Sequence, residues 1–549
     1  MKKINWLLVP VLTVSTVLSA CSGGGAGNDN KDTKGSSDSK QVLNLISSSD
    51  IPSMNSALAT DMVSFQVYED VFEGLYKLDK DSQPVPALAE GDPEKSKDGK
   101  TWTIKLRDNA KWSNGDPVTA GDFVYAWRNV VDKNTGSEYA FIMYDIKNAE
   151  DINTGKKDPK ELGVKAIDDH TLEIQLENEQ PYFQGLLAFG TFMPKNEKVA
   201  KEKGDKYGVG ADNAVYNGPF EMTEWNTEEN FKLEKNDDYW NKDEVKLDEI
   251  NYRVTKDVQT GLNLYETGKV DSVGVSAESV DKYKNDKDFK TELTAAIQFM
   301  RVQHDGKKEL QNADLRLALA KSLDKESYVK NNVNNGAVAT NQLTPKDVYK
   351  GPDGKDFSEI AGGDELSYDV DAAKEHWKKA KEALGKDKIE LEFLTTDLDT
   401  AKKDAEYFKE QWESNLDGLT IKIKQTPFKQ KLALEAKGDY DIAYGNWFPD
   451  YADPMTFMDL FWSKQTNTGY DDPAYDQMIE DAKGPLLPDP QKRWDTLGEA
   501  STMLLKEAHV IPIIQRGNAY LEKPYVKDIL VNSSMINQHD NAYIDGKKK

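Results

Sequence analysis

Two carboxylates three residues apart, Asp450 and Asp453, are the first candidates for chemistry in this chain, in the run Asn446-Trp447-Phe448-Pro449-Asp450-Tyr451-Ala452-Asp453-Pro454. Paired carboxylates on either side of a glycosidic bond can act as acid and base in its hydrolysis. The sequence holds 96 Asp and Glu residues, though, so close pairs arise by accident and this spacing alone does not make an enzyme. The five histidines, His170, His304, His376, His509 and His539, stand far apart with no pair at metal-ligand spacing. No Gly-x-Ser-x-Gly elbow, His-Glu-x-x-His helix or phosphate-binding Gly-rich loop occurs. The expectation is a binding protein: no enzyme, no cofactor, no metal.

The single cysteine, Cys21, has a different chemistry. It follows Lys2, Lys3 and a mostly apolar stretch from Ile4 to Ala20, the form of a secretory signal peptide. Leu18-Ser19-Ala20-Cys21 resembles the lipobox of bacterial lipoproteins. That resemblance implies cleavage before Cys21 and acylation of its thiol, an attachment that two or more acyl chains make stable. Without a second cysteine no intramolecular disulfide can form, so stability must come from core burial. Removing residues 1–20 leaves 96 acidic against 69 basic residues, a net charge of −27. So acidic a surface argues against nucleic acid as a partner and against lying flat on anionic lipid. Ser22 to Lys40 is rich in Gly, Ser, Asn, Asp and Lys and is read as a tether of a few nanometres' reach.

The elements that must position any site begin near Gln41. Val42, Leu43, Leu45 and Ile46 read as a strand, and Tyr68 to Leu78 as a helix end broken at Gly74. Trp102, Ile104 and Leu106 alternate with polar residues, as do Leu172, Ile174 and Leu176, and Ile250, Tyr252 and Val254, each a half-buried strand. Thr119 and Asp122 form a capping box before a helix with Phe123, Trp127 and Val130 on one face. A second helical stripe, Leu315, Leu319 and Leu323, starts after Asp314, and Asp489-Pro490 opens a third helix. Val510 to Ile514 reads as a strand. The charged stretches Lys198–Lys206 and Lys374–Lys388 are read as solvated helix faces. Helices and strands mix without a repeat, which predicts a large α/β or α+β body of several lobes.

Several stretches together resemble the solute-binding lipoproteins of peptide and nickel ABC importers. They include Val71-Phe72-Glu73-Gly74-Leu75-Tyr76 and Lys111-Trp112-Ser113-Asn114-Gly115-Asp116-Pro117 running on to Phe123. Further on come Asn217-Gly218-Pro219-Phe220, Asn236-Asp237-Asp238-Tyr239-Trp240 and Asp314-Leu315-Arg316-Leu317-Ala318-Leu319-Ala320. They stand in the family's order over nearly the whole mature chain, with the nearest likeness to its oligopeptide-binding members. The resemblance implies a periplasmic-binding-protein-like clamshell of α/β class with an inserted domain. It implies a signal peptide at 1–20, a lipid-anchored tether at 21–40 and lobe I from 41–82, 207–306 and 510–549. Domain II would occupy 83–206 and lobe III 307–509, with ligand enclosed between lobes I and III.

The implied function is a membrane-anchored, extracytoplasmic receptor that captures oligopeptides and hands them to the permease subunits of an ABC importer, acting as a monomer. A receptor for a signalling peptide is the alternative within the family, and a surface adhesin or chaperone lipoprotein the alternative outside it. By position, Asp450 matches the family Asp that pairs with a peptide's α-ammonium, and Trp447 lines the cleft. A simple turn cap before Pro454 is the competing role for Asp450. Tyr444 stands where some members carry an Arg for the peptide's C-terminal carboxylate, so longer peptides ending elsewhere are expected. The Trp112 to Pro117 stretch is expected to be structural, and Ser47 to Ile51 to lie near the ligand.

Overall fold

The structure is a computed structural model and describes residues 40–465, 467–531 and 536–547. The leader, Cys21 and the tether up to residue 39 lie outside the described residues. No helix among the described residues is long and apolar enough to cross a membrane.

Three sheets organise the body. The first runs in the order Val42–Ser47, Glu249–Val254, Asn230–Lys235, Phe220–Asn226. Its first pair is parallel and the rest antiparallel, with Leu43 set beside Ile250 and both fully buried. The second is an antiparallel sheet of Glu94–Lys95, Thr101–Lys105, Thr171–Gln175 and Val164–Asp168. Trp102 faces Ile174 and Ile104 faces Leu172 across it, all four buried, so the two-residue alternation in the sequence is the alternation of the two faces. The helix Ala120–Val131 is started by the Thr119–Asp122 capping box and buries Phe123, Trp127 and Val130. The preceding turn, with Gly115 at φ +82° and Lys111 bridged to Pro117, sends Trp112 inward, where Nε1 donates to Asp122. That stretch is structural.

The third sheet has seven strands and unites distant segments. Its order is Ser272–Gly274, Val510–Glu522, Phe289–Val302, Ile442–Trp447, Ile389–Thr396, Leu419–Thr426, with Val338–Ala339 also pairing on Val510–Glu522. Phe289–Val302 and Val510–Glu522 run antiparallel for most of their length, with register shifts between Leu293 and Ile297 and between Gln298 and Phe299. Such irregularities bend a strand and sharpen its twist.

The local readings need three corrections. The helix Met62–Val71 ends at Phe72, whose backbone is already extended, and Tyr76–Leu78 is a strand paired with Pro84–Pro86. The helix Ala313–Lys321 is capped by Asn312, whose side chain accepts from the Leu315 N–H, and Leu323 lies beyond its end. The strand at Val510 runs on to Glu522. The polar run Gln515-Arg516-Gly517 hid the extension, but pairing with Phe289–Val302 on one side and with Val338–Ala339 and Ser272–Gly274 on the other holds it in the sheet.

Candidate functional site

The site is built where the strand Ile442–Trp447 ends and its chain turns through residues 448–454 into the short helix Met455–Met458. Thr456 ties that turn together: its Oγ1 accepts from the Asp450 main-chain N–H at 3.1 Å and, at 3.5 Å, from Trp447 Nε1. The two carboxylates of the turn have divided their roles. Asp453 caps the helix by accepting from the Met455 N–H at 3.0 Å, and it holds Arg493 in a two-pronged pair at 2.8 and 3.0 Å. Burial alone would lower the Arg493 pKa; the Asp453 carboxylate more than offsets it and holds that pKa above its ordinary value.

Asp450 has none of this. Among the described residues its carboxylate accepts one hydrogen bond, a long one of 3.4 Å from the Tyr139 hydroxyl, and no Lys, Arg or His pairs with it. Burial pushes its pKa well above the usual carboxylate range; the Tyr139 bond offsets part of this and the Asp459 charge adds to it. Nearby, the buried Tyr349 hydroxyl has no partner among the described residues, and burial, then Asp453 and Asp450, drive its pKa up. The turn thus presents a carboxylate without a cation beside an unused donor. The cap hydrogen bond at this turn belongs to Asp453.

Aromatic rings wall the same space. Trp447, half-buried, lies nearly parallel to Tyr139 with centroids 6.1 Å apart, and the Arg301 guanidinium lies 6.0 Å from its ring. Tyr139 stacks in turn on Phe189 and meets Phe65 edge-on. Residues from three distant parts of the chain therefore close around Asp450. Tyr444 points elsewhere: it is buried against Phe393 and Phe408, with its hydroxyl 3.1 Å from that of Tyr328 and donating to Gln298 at 3.3 Å. Beside it, Arg516 is half-buried, its guanidinium 5.8 Å from the Phe448 ring. Burial lowers the Arg516 pKa, and the Tyr444 hydroxyl offsets part of that.

Contacts across this space are both polar and aromatic. Lys429 Nζ donates to the Pro52 carbonyl at 3.0 Å, Lys256 reaches Asp397 at 3.1 Å, and Gln180 donates to the Lys483 carbonyl at 2.9 Å. Tyr182 stacks on Tyr451 at 4.8 Å. Near Pro52, the Ser47–Ile51 loop is internally bonded, with Asp50 accepting from Trp225 Nε1 at 2.7 Å.

Residues 83–469 match the model for bacterial extracellular solute-binding proteins, family 5. The chain belongs to this family. The oligopeptide-binding protein OppA of Bacillus subtilis is 35% identical over 99% of this chain and all of its own. A Bacillus anthracis structure titled as the substrate-binding domain of an oligopeptide ABC transporter is 46% identical, with a TM-score of 0.89 over 92% of this chain and 99% of that one. Listeria monocytogenes OppA, solved bound to peptide, is 41% identical, with a TM-score of 0.88 over 93% of this chain and all of that one. The conformation is informative too. The Escherichia coli murein tripeptide-binding protein MppA scores 0.84 in one structure and 0.61 in its unliganded open form, at 27% identity in both. The lobes of this family 5 protein therefore stand away from the open arrangement.

Some site residues carried no signal in the sequence. Tyr139, Tyr349 and Arg301 are distant from the Asp450 turn and belong to no motif. The histidines, too, are closer than their spacing suggested. Because Arg301 pairs with Val510 in the third sheet, His304 and His509 follow and precede neighbouring strand ends, and their rings lie 5.0 Å apart. Burial and then the Arg316 charge lower both pKa values, to about 4 for His304 and about 2 for His509, so the pair is neutral at physiological pH.

Proposed function

We propose that this family 5 protein is the membrane-anchored, extracytoplasmic receptor of an ABC importer. It encloses oligopeptides in a closing cleft and holds their α-ammonium on Asp450, with Trp447 against the ligand. The observation that carries this reading is the Asp450 carboxylate, half-buried with no cation paired to it among the described residues, while Asp453 three residues on is fully paired. A buried charge without a partner is costly, and an incoming ammonium removes that cost. Peptide-binding relatives of high coverage support the ligand class.

The division into lobe I (41–82, 207–306, 510–549), inserted domain II (83–206) and lobe III (307–509) belongs to this proposal, as does action as a monomer without catalysis. The third sheet draws Phe289–Val302 and Val510–Glu522 alongside the strands of 389–447, which suits these two strands as the flexing connection. Of the cross-cleft contacts, the half-buried Lys256–Asp397 ion pair is worth about 0–1 kcal/mol, which leaves a bound ligand room to shift the balance between open and closed. Native mass spectrometry of freshly purified protein tests the reading: co-purifying peptides are expected, and a ligand of another class would replace it.

Two further outcomes are expected. Trp447 sits between Tyr139 and Arg301, so lobe closure changes its surroundings. Intrinsic fluorescence should respond to a peptide mixture and stay unchanged with sugars, free amino acids or nickel; a response to nickel alone would point to the metal-transporting branch. For the anchor, Cys21→Ala should release a folded protein from the membrane fraction. Retention of that variant through a high-salt wash would show that something other than an acyl chain holds it.

A further inference from the structure

The sequence has seven arginines, and Arg516 differs from the other two that burial draws inward. Arg493 has Asp453 and the Ala482 carbonyl; Arg316 has Glu507 and the Leu310 carbonyl. The Arg516 guanidinium, among the described residues, has no carboxylate and no hydrogen-bond acceptor, only the Phe448 face at 5.8 Å. It stands opposite the irregular stretch between Leu293 and Ile297, where the two long strands lose register and Thr294 Oγ1 bonds the Arg516 carbonyl at 2.9 Å. The backbone is thus fixed while the side chain is left unengaged. Five donors in a planar fork suit a carboxylate, and burying them without one is costly.

We propose that Arg516 receives a carboxylate of the bound ligand, the peptide's terminal one, beside a Tyr444 that carries no charge. This rests on the peptide-receptor reading above. Phe448 connects the two ends of the site: it lies under Arg516 and is two residues from Asp450. Two residues span at most about 7 Å, so with side-chain reach the Asp450 carboxylate and the Arg516 guanidinium are no more than roughly 20 Å apart. Allowing about 3 Å for each ion pair, an extended chain at ~3.5 Å per residue fits with at most about four residues. The receptor so built selects short peptides by holding both ends, a shorter class than the Tyr444 position alone suggests.

The test is thermal stabilisation of the full protein by four mixtures: randomised tripeptides, the same tripeptides amidated at the C-terminus, tripeptides lacking Asp and Glu, and randomised decapeptides. The expected result is stabilisation by the first and third. Amidation should raise the half-maximal concentration at least about thirty-fold, as for loss of one partner of a buried charge pair. Arg516→Gln should bind the acid as poorly as the wild type binds the amide, and Arg516→Lys should recover part of the difference. The amidated mixture needs no mutation, so a variant that fails to fold leaves the test standing. Equal stabilisation by acid and amide overturns the proposal while leaving the peptide-receptor reading intact. Loss of binding only when Asp and Glu are removed would assign Arg516 to an acidic side chain and overturn the terminal assignment. Stabilisation by decapeptides alone overturns the length argument and the proposal with it. No stabilisation by any peptide would bring down the underlying reading itself.

Discussion

Asp450→Asn is expected to weaken peptide binding by roughly thirty-fold or more while leaving the ligand-free protein at least as stable as the wild type. The first half follows from removing one partner of a buried, hydrogen-bonded charge pair, which costs about 2–5 kcal/mol of binding. Acetylating the peptide's amino end deletes the other partner. The two losses should therefore fail to add in a calorimetric double cycle, and full additivity would detach Asp450 from the α-ammonium. The second half follows from linkage. Burial raises the Asp450 pKa in the folded state, so above the unfolded value of about 3.9 the folded state binds more protons than the unfolded one. Stability contributed by this group falls as pH rises through that window, and near neutrality the carboxylate is a cost. Asparagine removes the titration. Melting temperature against pH should show the variant matching or exceeding the wild type at neutral pH, with the advantage gone in acid.

Asp453→Ala should have the opposite profile. It strands the Arg493 guanidinium, whose remaining anchor is the Ala482 carbonyl at 2.8 Å, and it also removes the cap on the Met455 N–H. Breaking a buried ion pair from one side typically costs about 3–5 kcal/mol, which makes this the largest single-site loss of stability expected for the turn. Denaturant unfolding measures it. A double variant, Asp453→Leu with Arg493→Met, should recover much of the loss, because two apolar side chains leave no uncompensated charge. If Asp453→Ala unfolds with the wild-type midpoint, the pair adds nothing to the turn. The two aspartates, identical as residues and three apart, would then be separated by function in one direction only.

Much of this protein was legible where local rules and tertiary structure agree. Trp102, Ile104, Leu172 and Ile174 alternate in sequence because they share one buried face, and Thr119 with Asp122 caps a helix by purely local bonds. The Asp450 turn could be found because a short run of residues resembles a known family's. What stayed hidden was set by long-range pairing. Nothing near Tyr139 says that its hydroxyl meets a carboxylate 311 positions away. Arg516 falls just past the strand read at Val510 to Ile514, and its isolation from any carboxylate among the described residues becomes visible only when its neighbours on adjacent strands are known. His304 and His509 read as solitary until strand register set them side by side. Distinguishing Asp453 from Asp450 likewise depended on where Arg493 falls.

The ends of the described body meet. Lys40 pairs with Glu249, and next to it the Gln41 side chain accepts from the Ile544 N–H at 2.7 Å, just before the chain's last described residues. Neighbouring surface termini are what allow a domain to be spliced into a loop of another protein. The whole binding body could therefore be carried as an insert within a reporter enzyme or fluorescent protein, entering and leaving at almost the same point. Lobe movement would then strain the host rather than a free tail, turning peptide capture into an optical or enzymatic readout.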